Sequence, residues 1–498
     1  MARRFQIAEL QQVGRLLGKV VGDETILLAD TAALWGFFLL ENGKKTGNDR
    51  NGSQVPPSCL SSALPVLGKD EKLGNTDWIQ FQDVFKVFAL SLDEVADRFF
   101  SGVATWLPII SPQSFRKRLQ QFQEKTYSPE FSLLLLAMSI IVIHPLERSS
   151  HASSIGLDDI YRFTKSTFAH VQTTTDISAT MIQASILIAA YEYACGRLQT
   201  AYISIGVSSR MSHVIGLDQH KPKFDTGYTD LESLEGRNIW WGLIILERQI
   251  LIEDGSRLRC SRTFFPSDDV LLPSLLDSLD EDGRGRNQCP STILPIVRSS
   301  NIDAFGRQGQ VAHFLEQMMS VLTNKDEDDI KISALRNIDD DMQQLLAITM
   351  SEYRGPGSHC GANATALRLV LSPAVIDEVK NLTRNRTLYL IHQAIFEISS
   401  RCTMAKPMNA LDSEGSRAAM DATVNMMAEV AKDHLTKITN IDRLPPCAGY
   451  NFELCVRHLE ARESPSGHDS HSNGALSDLK QMVGTFRRRW PKHGSTTL

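Results

Sequence analysis

Several groups of side chains in this sequence have residue types that chemistry would need. The runs Asp277 to Asp282 and Asp326 to Asp329 are rich in carboxylates, whose oxygens can hold Mg²⁺. Both lie in turn-like stretches without a partnering second metal motif, so they read as solvated loops. His468 and His471 stand three residues apart in a Ser/Gly-rich stretch, a spacing that can chelate a metal but reads here as free side chains. The eight cysteines (Cys59, Cys195, Cys260, Cys289, Cys360, Cys402, Cys447, Cys455) are widely scattered and contain no C-x-x-C pair. They read as reduced, mostly buried small apolar residues, which points to neither a zinc site nor a disulfide framework. Arg3-Arg4 and Arg487-Arg488-Arg489 are the nearest approach to a phosphate-binding surface, and each is too short for a multi-phosphate footprint. Both read as solvated helix ends, with a weak nuclear-import signal as the second reading. There is no G-x-G-x-x-G, Walker loop, G-x-S-x-G elbow or H-E-x-x-H, so no nucleophile or metal-assisted base is set up.

The elements that would position such groups follow from composition and periodicity. Across 498 residues, 42% are hydrophobic and 22% charged, enough apolar material for a folded core. The 52 Lys+Arg against 58 Asp+Glu give a net charge of -6, the wrong overall sign for a protein that mainly grips nucleic-acid phosphates. The N-terminus turns polar at Glu9, unlike a signal peptide. The greasiest runs, Thr31 to Leu40 and Phe131 to Ile143, fall short of a membrane span and read as buried helices. Four N-x-S/T sequons (Asn51, Asn363, Asn381, Asn385) read as chance.

Residues 1–40 read as helical and are followed by a Gly-rich insert over 41–53. A helix is predicted over Trp78 to Phe100. Ile177, Met181, Ala184, Ile188, Tyr191 and Cys195 alternate steps of four and three, which predicts an amphipathic helix with one apolar face. After Gly196 the spacing repeats at Ala201, Ile205, Ser208, Met211 and Ile215, and Gly216 stands where a left-handed helix terminator belongs. Leu234 to Ile252 is apolar nearly all round and predicts an enclosed helix at the centre of the fold. Asp277 to Gln288 and Asn324 to Asp329 predict loops, and Ala374 to Ala405 and Gly415 to Lys437 predict helices. Arg462 to Gly474 predicts a linker, and Ala475 to Trp490 a closing helix. Strand alternation is scarce, so the fold class expected is all-α.

An ordered series of these segments resembles the fungal-specific transcription factor domain, or middle homology region, of the fungal binuclear zinc cluster regulators. Leu90-Ser91-Leu92-Asp93-Glu94-Val95 through Trp106-Leu107-Pro108-Ile109-Ile110-Ser111 is similar to the family's opening helix and its apolar-Pro-Ile turn, with Phe115 after it. The Leu133-Leu134-Leu135-Leu136-Ala137-Met138 helix follows. Next come Gly196-Arg197-Leu198, then Gly206, Arg210, Met211 and the Gly216-Leu217 turn. Glu235-Gly236-Arg237-Asn238-Ile239-Trp240-Trp241, then Glu247-Arg248 and the stretch ending at Pro273, close the block. The pair usually written Asp-Arg is Glu247-Arg248 here. The likeness runs from about Leu90 to Pro273, and Leu479 to Trp490 resembles the family's closing helix.

The resemblance implies a multi-helical regulatory domain in the nucleus, controlling a fungal pathway such as a secondary-metabolite gene cluster. It implies segments at 1–84 (with a flexible insert near 41–76), 85–275 (the homology core), 276–460, 461–475 (linker) and 476–498. The expected partners are other transcription proteins or a second copy of the chain, with a small-molecule effector as a further option, and no membrane. The family's six-cysteine DNA reader is not matched in these residues. DNA contact is therefore expected only indirectly, or through a further N-terminal segment, and zinc as cofactor only with that segment. Non-enzymatic action is the expectation. The alternatives are an all-α enzyme of the prenyl or terpene synthase type, for which the aspartate runs are the only candidates, and an interaction protein derived from a transcription factor. Within the matched motif, Arg237 lies within helical reach of Trp240 and Trp241, predicting a stack on an indole or a pair with Glu247. Contact with an anionic ligand is its second reading. Gly206 is expected to permit close helix approach.

Overall fold

Serine and proline fix where the first helices begin. Ser91, Ser111, Ser128 and Ser178 each accept, through the side-chain hydroxyl, the backbone N–H of the residue three further on. Each thereby satisfies one of the donors that a helix start leaves without an intrahelical partner. These caps open α1 (Leu92–Ser101), α2 (Pro112–Gln123), α3 (Pro129–Val142) and α5 (Ala179–Ala194), with Pro112 and Pro129 in the first turn of α2 and α3. Helix α4 (Leu157–Thr174) starts instead with the Asp159 carboxylate accepting the Gly156 N–H at 2.9 Å. Gly196 and Gly216, with φ of 72° and 74°, end α5 and α6 (Leu198–Val214) in the left-handed region, as the spacing predicts. The later helices are α7 (Leu231–Asp254), α8 (Ala304–Thr323), α9 (Ser413–Thr436), α10 (Pro446–Arg462) and α11 (Ser470–Arg489).

The computed structural model describes residues 91–124, 128–145, 156–219, 231–254, 271–274, 302–323, 413–436, 440–462 and 470–491. Single positions at 263, 265 and between 330 and 345 are also described. All fall within one unit, Lys72–Leu498. Among them the fold is all-α, with no strand, and no helix is long and apolar enough to cross a membrane. The elements expected over 1–53 and 374–405, the acidic runs at 277–288 and 324–329, Arg3-Arg4, the four sequons and Cys59, Cys260, Cys289, Cys360 and Cys402 lie outside the described residues.

Two helices are enclosed on every side. All residues of α3 from Phe131 to Val142 are buried, and so are all residues of α5 from Thr180 to Ala194. This corrects the amphipathic expectation for α5. The six-residue stripe marks one face, but Ile182, Ile186, Ala189 and Tyr193 fill the other faces, because α3, α4, α6, α7 and α10 all pack around it. Helix α7 has a different role. Ile239, Leu243, Leu246 and Ile250 enter the main core, whereas Trp240, Trp241, Ile244 and Ile245 enter a second core with Leu272, Ile302, Phe305 and Ala312. It is apolar all round because it divides two cores, while α5 occupies the centre. Helix α11 begins at Ser470, so the expected linker is shorter at its C-terminal end and His471 belongs to the helix.

Gly206 departs from expectation. A Cβ built there meets nothing within 4 Å, so no helix approaches it closely. Gly206→Ala is therefore expected to raise stability by about 0.5–1 kcal/mol through helix propensity and a less flexible unfolded chain. Gly216→Ala has equal space but a positive φ, and is expected to cost about 1–2 kcal/mol. Urea midpoints of the two variants check the pair, and equal shifts of the same sign would contradict it.

Candidate functional site

The polar residues of α7 act as locks between neighbouring segments. Arg248 and Glu247 have no exposed side-chain surface. Arg248 donates from Nη1 to Glu247 Oε2 at 2.5 Å, from Nε to Glu316 Oε2 on α8 at 2.9 Å, and from Nη2 to the Thr263 carbonyl at 2.9 Å. The Thr263 N–H donates back to Glu247 Oε2 at 3.1 Å, and the Phe265 ring lies 5.8 Å from the guanidinium. The Glu247 and Arg248 charges match each other inside a region that would otherwise penalise either heavily, while Glu316 keeps access to water. About two and a half turns before Glu247, Asn238 donates to the carbonyls of Pro108 and Ser274 at 3.0 and 2.6 Å and accepts the Ser274 N–H at 3.2 Å. Ser274 donates to Asp303, whose other oxygen accepts the Gly306 N–H at the start of α8. Glu235 accepts the Ser111 N–H and the Gln183 amide, tying α7 to the start of α2 and to α5.

The structure brings together one half of the matched motif around the second core. Trp241 donates its indole N–H to the Leu271 carbonyl at 2.9 Å, and buried Pro273 sits where Gly306 and Gly309 leave room for it. Arg237 reaches the Leu272 carbonyl at 3.5 Å, and Glu247, expected as its partner, is taken by Arg248 and Thr263. The other half lies on α6. Met211 and Leu217 are buried, Arg210 is exposed, and Gly216 caps the helix. His213 joins the halves, with its ring 5.3 Å from Trp240 and its Nδ1 2.9 Å from Asp218.

A second lock, at the C-terminus, was not visible in the sequence. Arg489 is buried, which corrects its reading as part of a solvated basic end. It donates from Nε to Asp442 at 2.6 Å and from its two terminal nitrogens to the carbonyls of Ile143 and Ile141, at the end of α3. Asp442 also meets His144 at 3.5 Å, and its carbonyl accepts the Trp106 indole N–H at 2.9 Å. Burial pushes the Asp442 carboxyl upward, but the His144 hydrogen bond and the Arg489 charge outweigh it and hold the group below the usual carboxylate range. Trp490 lies under the Arg489 guanidinium at 3.7 Å and presents its edge to Tyr191. Arg487 and Arg488 are the exposed part of the run. Only the Phe-Arg-Arg-Arg-Trp spelling could have signalled this, because one helical turn buries just one of three consecutive arginines.

A third buried carboxylate, Glu192, accepts the Tyr161 hydroxyl at 2.7 Å and the Lys165 ammonium at 3.0 Å. Burial together with Glu192 pushes the Tyr161 phenol upward. Two of the described thiols are likewise held protonated at neutral pH, since burial pushes Cys195 up to about 11 and Cys455 to about 12. Among the described residues no group of three His, Cys, Asp or Glu is placed to hold a metal ion. What this arrangement does chemically is hold helices in register.

His434 on α9 supplies a pH dependence. Burial, reinforced by Arg443, lowers its pKa to about 4 from the ordinary 6.5, so the unfolded chain takes up the proton first as pH falls. Stability contributed by the neutral ring is complete above about pH 6.5 and is lost as pH falls toward 4. Between pH 7.5 and 5 the wild type is expected to lose about 1 kcal/mol more than His434→Phe, read from urea midpoints. Parallel losses in the two proteins would contradict the assignment.

Comparison with known proteins returns one family. A model described as the fungal specific transcription factor domain matches residues 96–345, half of the chain. The match contains α2 to α8, and it runs past Pro273, where the sequence likeness thins; the main core is completed from outside it by side chains such as Phe452, Leu479 and Phe486. A curated protein named transcription factor BOA15, from Botryotinia fuckeliana (strain B05.10), is 27% identical over 126 residues, covering 25% of this chain and 67% of that protein. No solved structure matches the chain significantly.

Proposed function

Because this chain belongs to the family of the fungal specific transcription factor domain and is a transcription regulator, we propose that it acts through its helical body without performing an enzymatic reaction. In this reading the body works in the nucleus, engages other transcription proteins or a second copy of itself, and needs no cofactor. It controls a set of fungal pathway genes, such as a secondary-metabolite cluster. The observation that carries the reading is that the 96–345 match includes α7 whole, the helix that divides the two cores. The buried charges of the matched stretch join helices to one another.

The test is to tether the whole chain to a promoter through a heterologous DNA-binding domain. A several-fold rise or fall in reporter output is the expected result, and output equal to that of the DNA-binding domain alone would count against the reading. Residues 1–498 are also expected to show no sequence-specific affinity for duplex DNA. Specific binding needs side chains aimed at base edges, and with Arg489 buried the terminal basic run offers phosphates only Arg487 and Arg488. Anisotropy over a pool of random duplexes at physiological salt checks this, and enrichment of one motif by the purified chain would refute it.

A further inference from the structure

We infer that the groove between α10 and α11 receives an acidic, amphipathic helical segment of a partner protein. The groove has a volume of about 440 Å³ and is lined at helical spacing on both sides. On α11 the lining residues are Lys480, Val483, Gly484 and Arg487, spanning two turns or about 10.5 Å. On α10 they run from Glu453 to Glu460 over the same length. Val456 and Val483 supply an apolar floor. Gly484 keeps the middle open, because a Cβ there would meet only the Arg488 guanidinium, at 3.6 Å.

Charge decides the chemistry of the occupant. Arg457 and Arg487 both lean on one carboxylate, Glu453, at 3.6 and 3.5 Å, and Glu453 is only 9% exposed while they are 70% and 65% exposed. Two solvent-facing guanidiniums therefore share a single sunken anion. Lys480 pairs with Glu460 at 3.0 Å, each 48% exposed, which leaves that end neutral. The groove presents net positive charge on a chain whose total is -6. A continuous phosphate backbone would run onto Glu460, whereas a helix can place a carboxylate at the Arg457–Arg487 end and apolar side chains over the two valines. The inference rests on the regulatory reading only in making the occupant a protein segment.

The experiment titrates the full chain into a fluorescein-labelled helical peptide of about five turns (~18 residues), with leucines on one face and glutamates flanking them. Saturable binding in the micromolar range, weakening as salt rises, is expected. Arg457→Gln with Arg487→Gln is expected to weaken it at least tenfold by removing charge. Gly484→Met is expected to do the same by filling the groove without changing charge. Both variants should still melt cooperatively, Gly484→Met at or above the wild-type midpoint because a helical glycine is replaced by a better helix former, and the arginine double variant slightly below it because Glu453 loses two partly solvated partners. Absence of binding, equal affinity in wild type and variants, or an unchanged affinity when glutamine replaces the peptide's glutamates would overturn the inference. So would preferential binding of a duplex oligonucleotide that the same substitutions abolish. Failure here leaves the promoter-tethering result untouched, so the two readings fall separately.

Discussion

Replacing Arg248 with methionine is expected to lower stability by about 3–5 kcal/mol, because it removes the guanidinium that balances the fully buried Glu247 carboxylate. Glu316 is 29% exposed and can regain water, so its loss of the guanidinium contributes little. The cost therefore lies in a buried carboxylate that has lost its guanidinium and in the loosened junction between α7, Thr263 and α8. Adding Glu247→Gln should return part of the loss, since a neutral amide keeps a hydrogen bond to Thr263 without the charge. Urea unfolding of the wild type, the single and the double variant measures this directly. A single-variant loss under about 1 kcal/mol, or no recovery in the double, would show that the pair is not buried as described.

Arg489→Leu is expected to be comparably severe, at about 3–5 kcal/mol. The substitution strips Asp442 of its strongest partner and leaves the Ile141 and Ile143 carbonyls, at the end of α3, without their donor. Its signature is a pH dependence of definite sign. In the wild type the Asp442 carboxyl lies below its ordinary value, so the stability it contributes is present above that value and is lost as pH falls through the lower folded one. Without Arg489 the buried carboxylate prefers its proton, and the gap between variant and wild type should narrow as the pH approaches 4. Arg487→Leu, at an exposed neighbour, should cost well under 1 kcal/mol. Equal effects at the two positions would contradict the burial of Arg489.

The helices α5, α6, α7, α9 and α11 were legible in periodicity, with Gly196 and Gly216 marking breaks, whereas α2, α4, α8 and α10 were not read, although Ser111-Pro112 carries a helix-start signal confined to a few neighbouring residues. What periodicity could not supply was the second and third face of α5. A stripe of six residues is the same whether one helix or five surround it, and only tertiary packing distinguishes them. The α7 motif was legible as residues but not as partners. Arg237 and Arg248 lie on one helix, and which of them takes Glu247 depends on where Thr263 and Glu316 arrive from distant parts of the chain. Asp442 and Arg489 meet Ile141, Ile143 and His144 across some three hundred residues of sequence, and no local pattern encodes that contact. The docking groove was hidden for the same reason, since it exists only once α10 and α11 lie side by side.

Regulation of transcription through the helical body has a genome-wide consequence. Expression profiling of a strain lacking the gene, beside the same strain complemented with the intact chain and with the Arg457→Gln, Arg487→Gln chain, tests it most directly. A coherent set of transcripts should change on deletion and return with the intact chain. A transcriptome unchanged by deletion across many growth conditions would contradict the account.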